Sequence, residues 1–174
     1  MEIKEDIIKA VRDIPDFPVK GVVFKDITPL LSDISLYNRI IDTMANQYKG
    51  KNITKIAGLE SRGFIFGISL AQKLNVPFVP IRKKGKLPYK TVSTTYSLEY
   101  GTATIEMHID AINEKDNVLI VDDLLATGGT ACAAIELVKK LNAAVAGCAF
   151  VIELTFLNGK DKLKDINYSS IVQY

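Results

Sequence analysis

The chain has no tryptophan, one histidine and two cysteines among 174 residues, and each shortage removes a class of chemistry. Cys132 and Cys148 have no CxxC spacing, so neither a disulfide framework nor a zinc knuckle is supported, and both read as small core residues. With His108 alone, His-rich metal sites and a proton shuttle between two imidazoles are excluded. Long apolar runs are missing too: the longest charge-free apolar stretch, Leu141 to Ile152, is too short to cross a bilayer. Met1 to Ile14 carries Glu2, Glu5, Asp6 and Asp13, unlike a signal peptide, so a cytoplasmic protein with no membrane partner is expected. A net charge of +2 argues against a dedicated nucleic-acid binder. Chemistry is left to carboxylates, backbone amides, lysine and arginine.

The remainder is the composition of an ordinary globular domain, 48% hydrophobic and 24% charged, at a length that suits one core. Ile3, Ile7 and Val11 recur one helical turn apart, which predicts an amphipathic helix over Glu2 to Asp13. Pro18 to Pro29 is turn-rich, and a second helix is predicted from about Ser35 to Tyr48. Lys55 to Leu59, Gly63 to Leu74 and Phe78 to Arg82 then read as strand, helix and strand. Asn117 to Asp122, Gly129 to Leu141 and Val145 to Ile152 repeat that pattern. Continuous aliphatic strands alternating with helices indicate an α/β fold, a mostly parallel sheet with helices on both faces. Thr102 to Ile109 alternates apolar and polar residues, as a half-exposed antiparallel strand would, with His108 on its polar side.

Arg82 to Leu98 has no clear core pattern and no acid. Arg82, Lys83, Lys84, Lys86 and Lys90 lie within it; removing those five from the 22 basic residues leaves 17 against 20 acidic. The body is thus at −3 and one segment at +5, and so long a loop in a small domain is usually functional or mobile.

The most informative segment is Val118-Leu119-Ile120-Val121-Asp122-Asp123-Leu124-Leu125-Ala126-Thr127-Gly128-Gly129-Thr130. A buried strand is expected to end in two carboxylates and to pass through a Gly-rich turn into a helix. Ligands of open α/β sheets bind at such strand ends. The amides from Ala126 to Thr130, the hydroxyls of Thr127 and Thr130 and the positive helix end would cradle a phosphate monoester. The acids Asp122 and Asp123 suit the hydroxyls of a ribose carrying that phosphate. No GxxxxGK[ST] or GxGxxG occurs, so P-loop and dinucleotide-binding readings lose their key residues. Gly58-Leu59-Glu60-Ser61-Arg62-Gly63 ends another strand and opens another helix, a second anion site by the same reasoning.

These segments resemble the phosphoribosyl pyrophosphate (PRPP) signature of the type I phosphoribosyltransferases, and the Leu-Leu-Ala-Thr-Gly-Gly-Thr wording resembles the adenine-using members. Asp16 to Pro29, Ala57 to Phe64 and Arg82 to Gly101 agree, and the likeness runs to Val151-Ile152-Glu153-Leu154-Thr155 and Gln173-Tyr174. The resemblance implies a single domain with a small base-binding hood at about residues 1–34 and a flexible catalytic loop with antiparallel strands at about 82–102. It also implies a homodimer and Mg²⁺ carried as Mg-PRPP, with no direct protein ligand to the metal.

By that resemblance, Asp122, Asp123, Ala126, Thr127, Gly128, Gly129 and Thr130 hold the ribose 5-phosphate of PRPP. Glu60, Ser61, Arg62, Arg82, Lys83, Lys86 and Tyr100 hold pyrophosphate, with a non-proline cis peptide mapping to Glu60-Ser61. Val23, Phe24, Lys25, Arg62 and Leu124 bind adenine, the ring stacking on Phe24 and main-chain groups reading its Watson-Crick edge. A fixed carbonyl accepts from the amino group of adenine but faces an acceptor in hypoxanthine or guanine. Glu99 accepts the proton that adenine loses on attack, and AMP and pyrophosphate leave. An oxocarbenium-like path needs no covalent nucleophile, which suits the missing Cys-His and Ser-His pairs.

Three other readings fit less of the chain. A PRPP-sensing regulator would need a DNA-binding module or basic face, and a transferase for another base is disfavoured by the Phe24 segment and the YSLEYG wording. A receiver-like signalling domain leaves the Thr-Gly-Gly-Thr turn without a role. Tyr89 departs from the small residue expected after Lys86-Leu87-Pro88.

Overall fold

The aliphatic segments form the middle of one seven-stranded sheet. The structure is a computed structural model that describes residues 2–97, 101–163 and 165–174. In chain order the elements are α1 (Ile3–Ala10), β1 (Arg12–Pro15), β2 (Val23–Asp26), α2 (Thr28–Ser32), α3 (Ile34–Tyr48), β3 (Lys55–Leu59) and α4 (Arg62–Leu74). They continue with β4 (Phe78–Lys83), β5 (Thr91–Ser97), β6 (Thr102–His108), β7 (Asn117–Leu125), α5 (Gly129–Lys140), β8 (Ala144–Glu153) and β9 (Tyr168–Gln173). The sheet order is β5-β6-β4-β3-β7-β8-β9. β4, β3, β7, β8 and β9 run parallel, while β6 is antiparallel to both β4 and β5.

Both faces of the sheet are covered, as its continuous apolar strands require. On one face Ile7 of α1, Ile40 and Met44 of α3 and Phe66 and Leu70 of α4 pack on Leu119, Val121 and Val151. On the other, Ala134, Leu137 and Val138 of α5 pack on Val118, Ile120, Cys148 and Phe150. Each large side chain so buried contributes roughly 1.5–3 kcal/mol against exposure. Asp33 caps α3 by accepting from the Leu36 N–H at 3.0 Å, and Asn75, left-handed at φ 56°, closes α4.

Three departures from expectation have local causes. The first helix stops at Ala10 instead of Asp13, because Pro15 holds Ile14 extended, and Arg12–Pro15 pairs with Val23–Asp26 in a separate two-stranded sheet. β9 was not expected as a strand, since polar residues divide it, whereas β5 is an antiparallel strand of the kind the resemblance implies for the 82–102 loop. β7 runs three residues past Asp122. The expected antiparallel strand is present as β6, and the two α/β units fall within a few residues of their predicted bounds.

Candidate active site

Pairing on the two sides of β7 stops at different heights. β3 last pairs at Gly58 with Val121, whereas β8 continues to Leu125 with Glu153. Asp122 and Asp123 therefore sit inside a strand, contrary to the expected strand end, yet on the β3 side they border a cleft of about 490 Å³. Phe24, Glu60, Arg62, Lys83 and Lys86 face the same space. Gly63 makes this convergence possible. A Cβ there would lie 2.7 Å from the Val121 carbonyl and 2.9 Å from Asp122 Oδ1, so only glycine lets α4 start against β7.

Beyond Leu125 the chain turns at Gly128, φ +77°, into α5. The N–H groups of Ala126, Thr127 and Gly128 find no main-chain partner among the described residues, and those of the first turn of α5 have none by helix geometry. They enclose a concavity of about 70 Å³ together with Leu124 and Thr130. Donors converging at a positive helix end make an anion site. Thr130 Oγ1 donates to Tyr96 Oη at 3.0 Å, and the Tyr96 ring lies over Gly129, which places the end of β5 on this cradle.

Across the cleft the Glu60–Ser61 peptide is cis, at the position the resemblance implies. The Glu60 carboxylate accepts from Lys86 Nζ at 2.8 Å, the Lys83 N–H at 2.9 Å and Arg82 Nη2 at 3.3 Å. Burial pushes its carboxyl upward, but the bonds from Lys86, Lys83 and Arg82 outweigh that and hold it at about 2. Its oxygens are thus engaged in gathering cations, and the basic groups are what face an anion. Glu106, 5% exposed, organises the same turn from β6, accepting from Gly85 N–H, Leu87 N–H and Thr91 Oγ1.

The acid pair behaves differently. Burial raises Asp122 well above the usual carboxylate range, and the Asp123 charge raises it further. Part of Asp122 opens to the cleft, but the surrounding protein strips most of its water. Burial also raises Asp123, while the Arg62 charge opposes the shift. Arg62 Nε lies 3.0 Å from Asp123 Oδ2 without the alignment of a hydrogen bond, so the contact is ionic. The pair holds a proton more tightly than separate carboxylates would.

Phe24 of β2 stands at the mouth of the cleft with its ring 5.2 Å from Phe17, edge to face, and Arg62 Cζ 5.1 Å over it. Lys25 Nζ turns to Asp13 at 2.7 Å and sits 3.8 Å over the Tyr174 ring, leaving its main chain as the part that could meet a ligand. Val23 is half exposed, and Leu124 packs partly buried beside the cradle.

The two loops, the acid pair, the basic turn and Phe24 are thus brought together. Glu99 and Tyr100 lie outside the described residues. His108 does not line the cleft; its ring meets that of Tyr89 edge to face at 5.9 Å. Cys148 is a core residue whose thiol burial pushes up to about 12, but Cys132 is only half buried and bonds the Lys162 carbonyl. Gly63, Tyr96 and Glu106 were not singled out by sequence.

Residues 31–173 match the phosphoribosyl transferase domain family. The chain is 53% identical over 173 residues to a relative named adenine phosphoribosyltransferase from Halothermothrix orenii, covering 99% of each. It is similar to the crystal structure of adenine phosphoribosyltransferase from Thermoanaerobacter pseudethanolicus (TM-score 0.95, 49% identity, 98% and 99% of the two chains). It is also similar to the Saccharomyces cerevisiae enzyme complexed with an imino-altritol bisphosphate and adenine (TM-score 0.92, 40% identity, 98% of each chain). On its fold, its paired loops and these full-length matches, the chain belongs to the phosphoribosyltransferase family, among the adenine phosphoribosyltransferases.

Proposed function

We infer that the chain transfers the 5-phosphoribosyl group of PRPP to adenine, giving AMP and pyrophosphate. The observation that carries this reading is the placement of two amide-rich strand-to-helix loops on either side of an acid pair, with an aromatic ring at the open end. One loop suits a phosphate monoester, the acids suit ribose hydroxyls, and the loop beside Arg82, Lys83 and Lys86 suits a pyrophosphate. The yeast relative, solved with adenine, supports the choice of base.

In this mechanism the Ala126–Thr130 amides and Thr hydroxyls hold the 5-phosphate, and Asp122 and Asp123 orient the ribose. Their negative character lies near the positive charge that develops at the anomeric carbon. The Ser61 loop and the cations gathered by Glu60 stabilise the departing pyrophosphate. Adenine stacks on Phe24, with Arg62 and Leu124 beside it and the Val23 and Lys25 main chain reading its edge. In this reading Glu99 takes the proton released from N9, and Tyr100 is assigned to the pyrophosphate. Holding both ends of PRPP converts the attack into an oriented, effectively unimolecular step.

The donor set fits Mg²⁺ entering on substrate oxygens and water. Among the described residues no three His, Cys, Asp or Glu form a metal cage, Glu60 is engaged by cations and Asp123 by Arg62, while Asp122 keeps an open side. When bound, the ion neutralises charge on the pyrophosphate. A homodimer is the assembly implied by the resemblance, and the exposed Ile65 and Ile68 on α4 offer an apolar face for it. PRPP and AMP do not cross bilayers, so a protein that uses them fits a cytoplasmic location. The test is direct: protein, Mg²⁺, PRPP and adenine should release pyrophosphate, and no release in the complete mixture would overturn the reading.

A further inference from the structure

After β8 the chain runs back along the outside of the phosphate cradle in two short 3-10 turns, Thr155–Leu157 and Gly159–Leu163. One end of this strap is tied to the sheet. The Leu154 N–H donates to the Leu125 carbonyl at 2.9 Å, and both the N–H and hydroxyl of Thr155 donate to the Tyr174 carbonyl. The other end is fixed by Leu163, 2% exposed in the α5-side core, and by Cys132 Sγ, 3.3 Å from the Lys162 carbonyl. Between these anchors Asn158, left-handed at φ 52°, turns the chain so that Gly159 lies buried against the cradle.

The contact is backbone on backbone. A Cβ on Gly159 would run into the Ala126 carbonyl oxygen and come within 3.0 Å of Gly128 N. Reciprocally, a Cβ on Gly128 would lie 2.5 Å from the Gly159 oxygen. Neither side is free to yield, since one continues β7 and the other is tied at both ends.

We propose that Gly159 is a positioning residue for the 5-phosphate, setting the curvature of the Ala126–Thr130 loop from behind. The proposal rests on reading that loop as the phosphate cradle. Pressure from the strap reaches the cradle on the β8 side of β7, whereas Phe24 and the Glu60 loop lie on the β3 side. An added methyl should therefore damage one subsite and spare the others.

Calorimetric titration of ribose 5-phosphate, adenine and pyrophosphate into wild type and Gly159→Ala tests this. Overpacking against fixed backbone should weaken ribose 5-phosphate, and raise the PRPP KM, by about tenfold or more, with adenine and pyrophosphate affinities within twofold. Wild-type protein that does not bind ribose 5-phosphate would instead overturn the cradle reading. Normal ribose 5-phosphate binding by the variant, or an equal loss for all three ligands, would overturn the role of Gly159. Should Gly159→Ala not fold, Asn158→Ala, which strains the positive φ, must weaken ribose 5-phosphate relative to adenine, and Asn158→Gly must restore it. Equal affinities in that pair would overturn the proposal.

Discussion

Arg62 Nε lies 3.0 Å from Asp123 Oδ2 while its guanidinium carbon sits 5.1 Å over the Phe24 ring, so one side chain joins the acid pair to the aromatic shelf. Asp123 is 4% exposed in that pair and Arg62 34%. Removing the cation leaves a buried carboxylate without its counter-charge and the ring without its neighbour. Arg62→Met should lower kcat/KM for adenine and for PRPP together, each by about 100-fold, the cost of stranding a mostly buried charge. Steady-state kinetics with each substrate varied in turn checks this; a loss confined to one substrate would contradict the shared role.

The acid pair should be visible in a pH profile. Burial and the Asp123 charge both raise Asp122, so the acidic limb of kcat/KM for PRPP should lie above the ordinary carboxylate range. Asp123→Asn removes the neighbouring charge and should move that limb toward lower pH. An unmoved limb would mean that another group titrates there.

Glu60 predicts the opposite sign. Its carboxyl is held at about 2 in the folded protein against 4.5 when free, so the unfolded chain takes the proton first as pH falls. The stability that Glu60 contributes is fully present above about pH 4.5 and is lost as pH falls toward 2. Denaturant titrations of wild type and Glu60→Gln should differ by a constant amount near neutrality and converge in that acid window. A gap that widens on acidification would contradict the clamp.

The parts of this architecture legible in sequence are those whose determinants are local. Val118 to Val121 and Cys148 to Ile152 are apolar without break, so their strands and the parallel sheet follow from the local residue pattern. The Gly128–Thr130 turn carries its own conformational signal. β9 escaped because Tyr168-Ser169-Ser170 precedes only three further residues of strand, and β5, mostly hydroxyl-bearing over Thr91–Ser97, came from the resemblance and not from its own residue pattern. Asp122 and Asp123 looked like a strand end because charge usually stops a buried strand; they lie within β7 because its neighbours end at unequal heights. Tyr96 on Thr130, Glu106 under the basic turn and Gly63 against Val121 are products of tertiary contact, and no spacing along the chain announces them.

Phe24 should act on the base alone. Its ring is the open-end wall of the cleft and meets the Glu60 loop through the Arg62 guanidinium, 5.1 Å over it. Phe24→Ala should raise the adenine KM by about tenfold to 100-fold, the worth of one base stacked on an aromatic ring, and leave the PRPP KM nearly unchanged. An effect on PRPP alone would refute the stacking role.

The most direct measurement is the comparison of adenine, hypoxanthine and guanine as acceptors at fixed Mg-PRPP, with pyrophosphate and nucleotide products quantified together. The prediction is stoichiometric AMP and pyrophosphate from adenine, with kcat/KM for the two oxopurines lower by about 10⁴-fold, as expected when a fixed carbonyl meets an acceptor instead of an amino group. Comparable turnover of hypoxanthine, or pyrophosphate released without AMP, would contradict the assignment of this cleft to adenine phosphoribosylation.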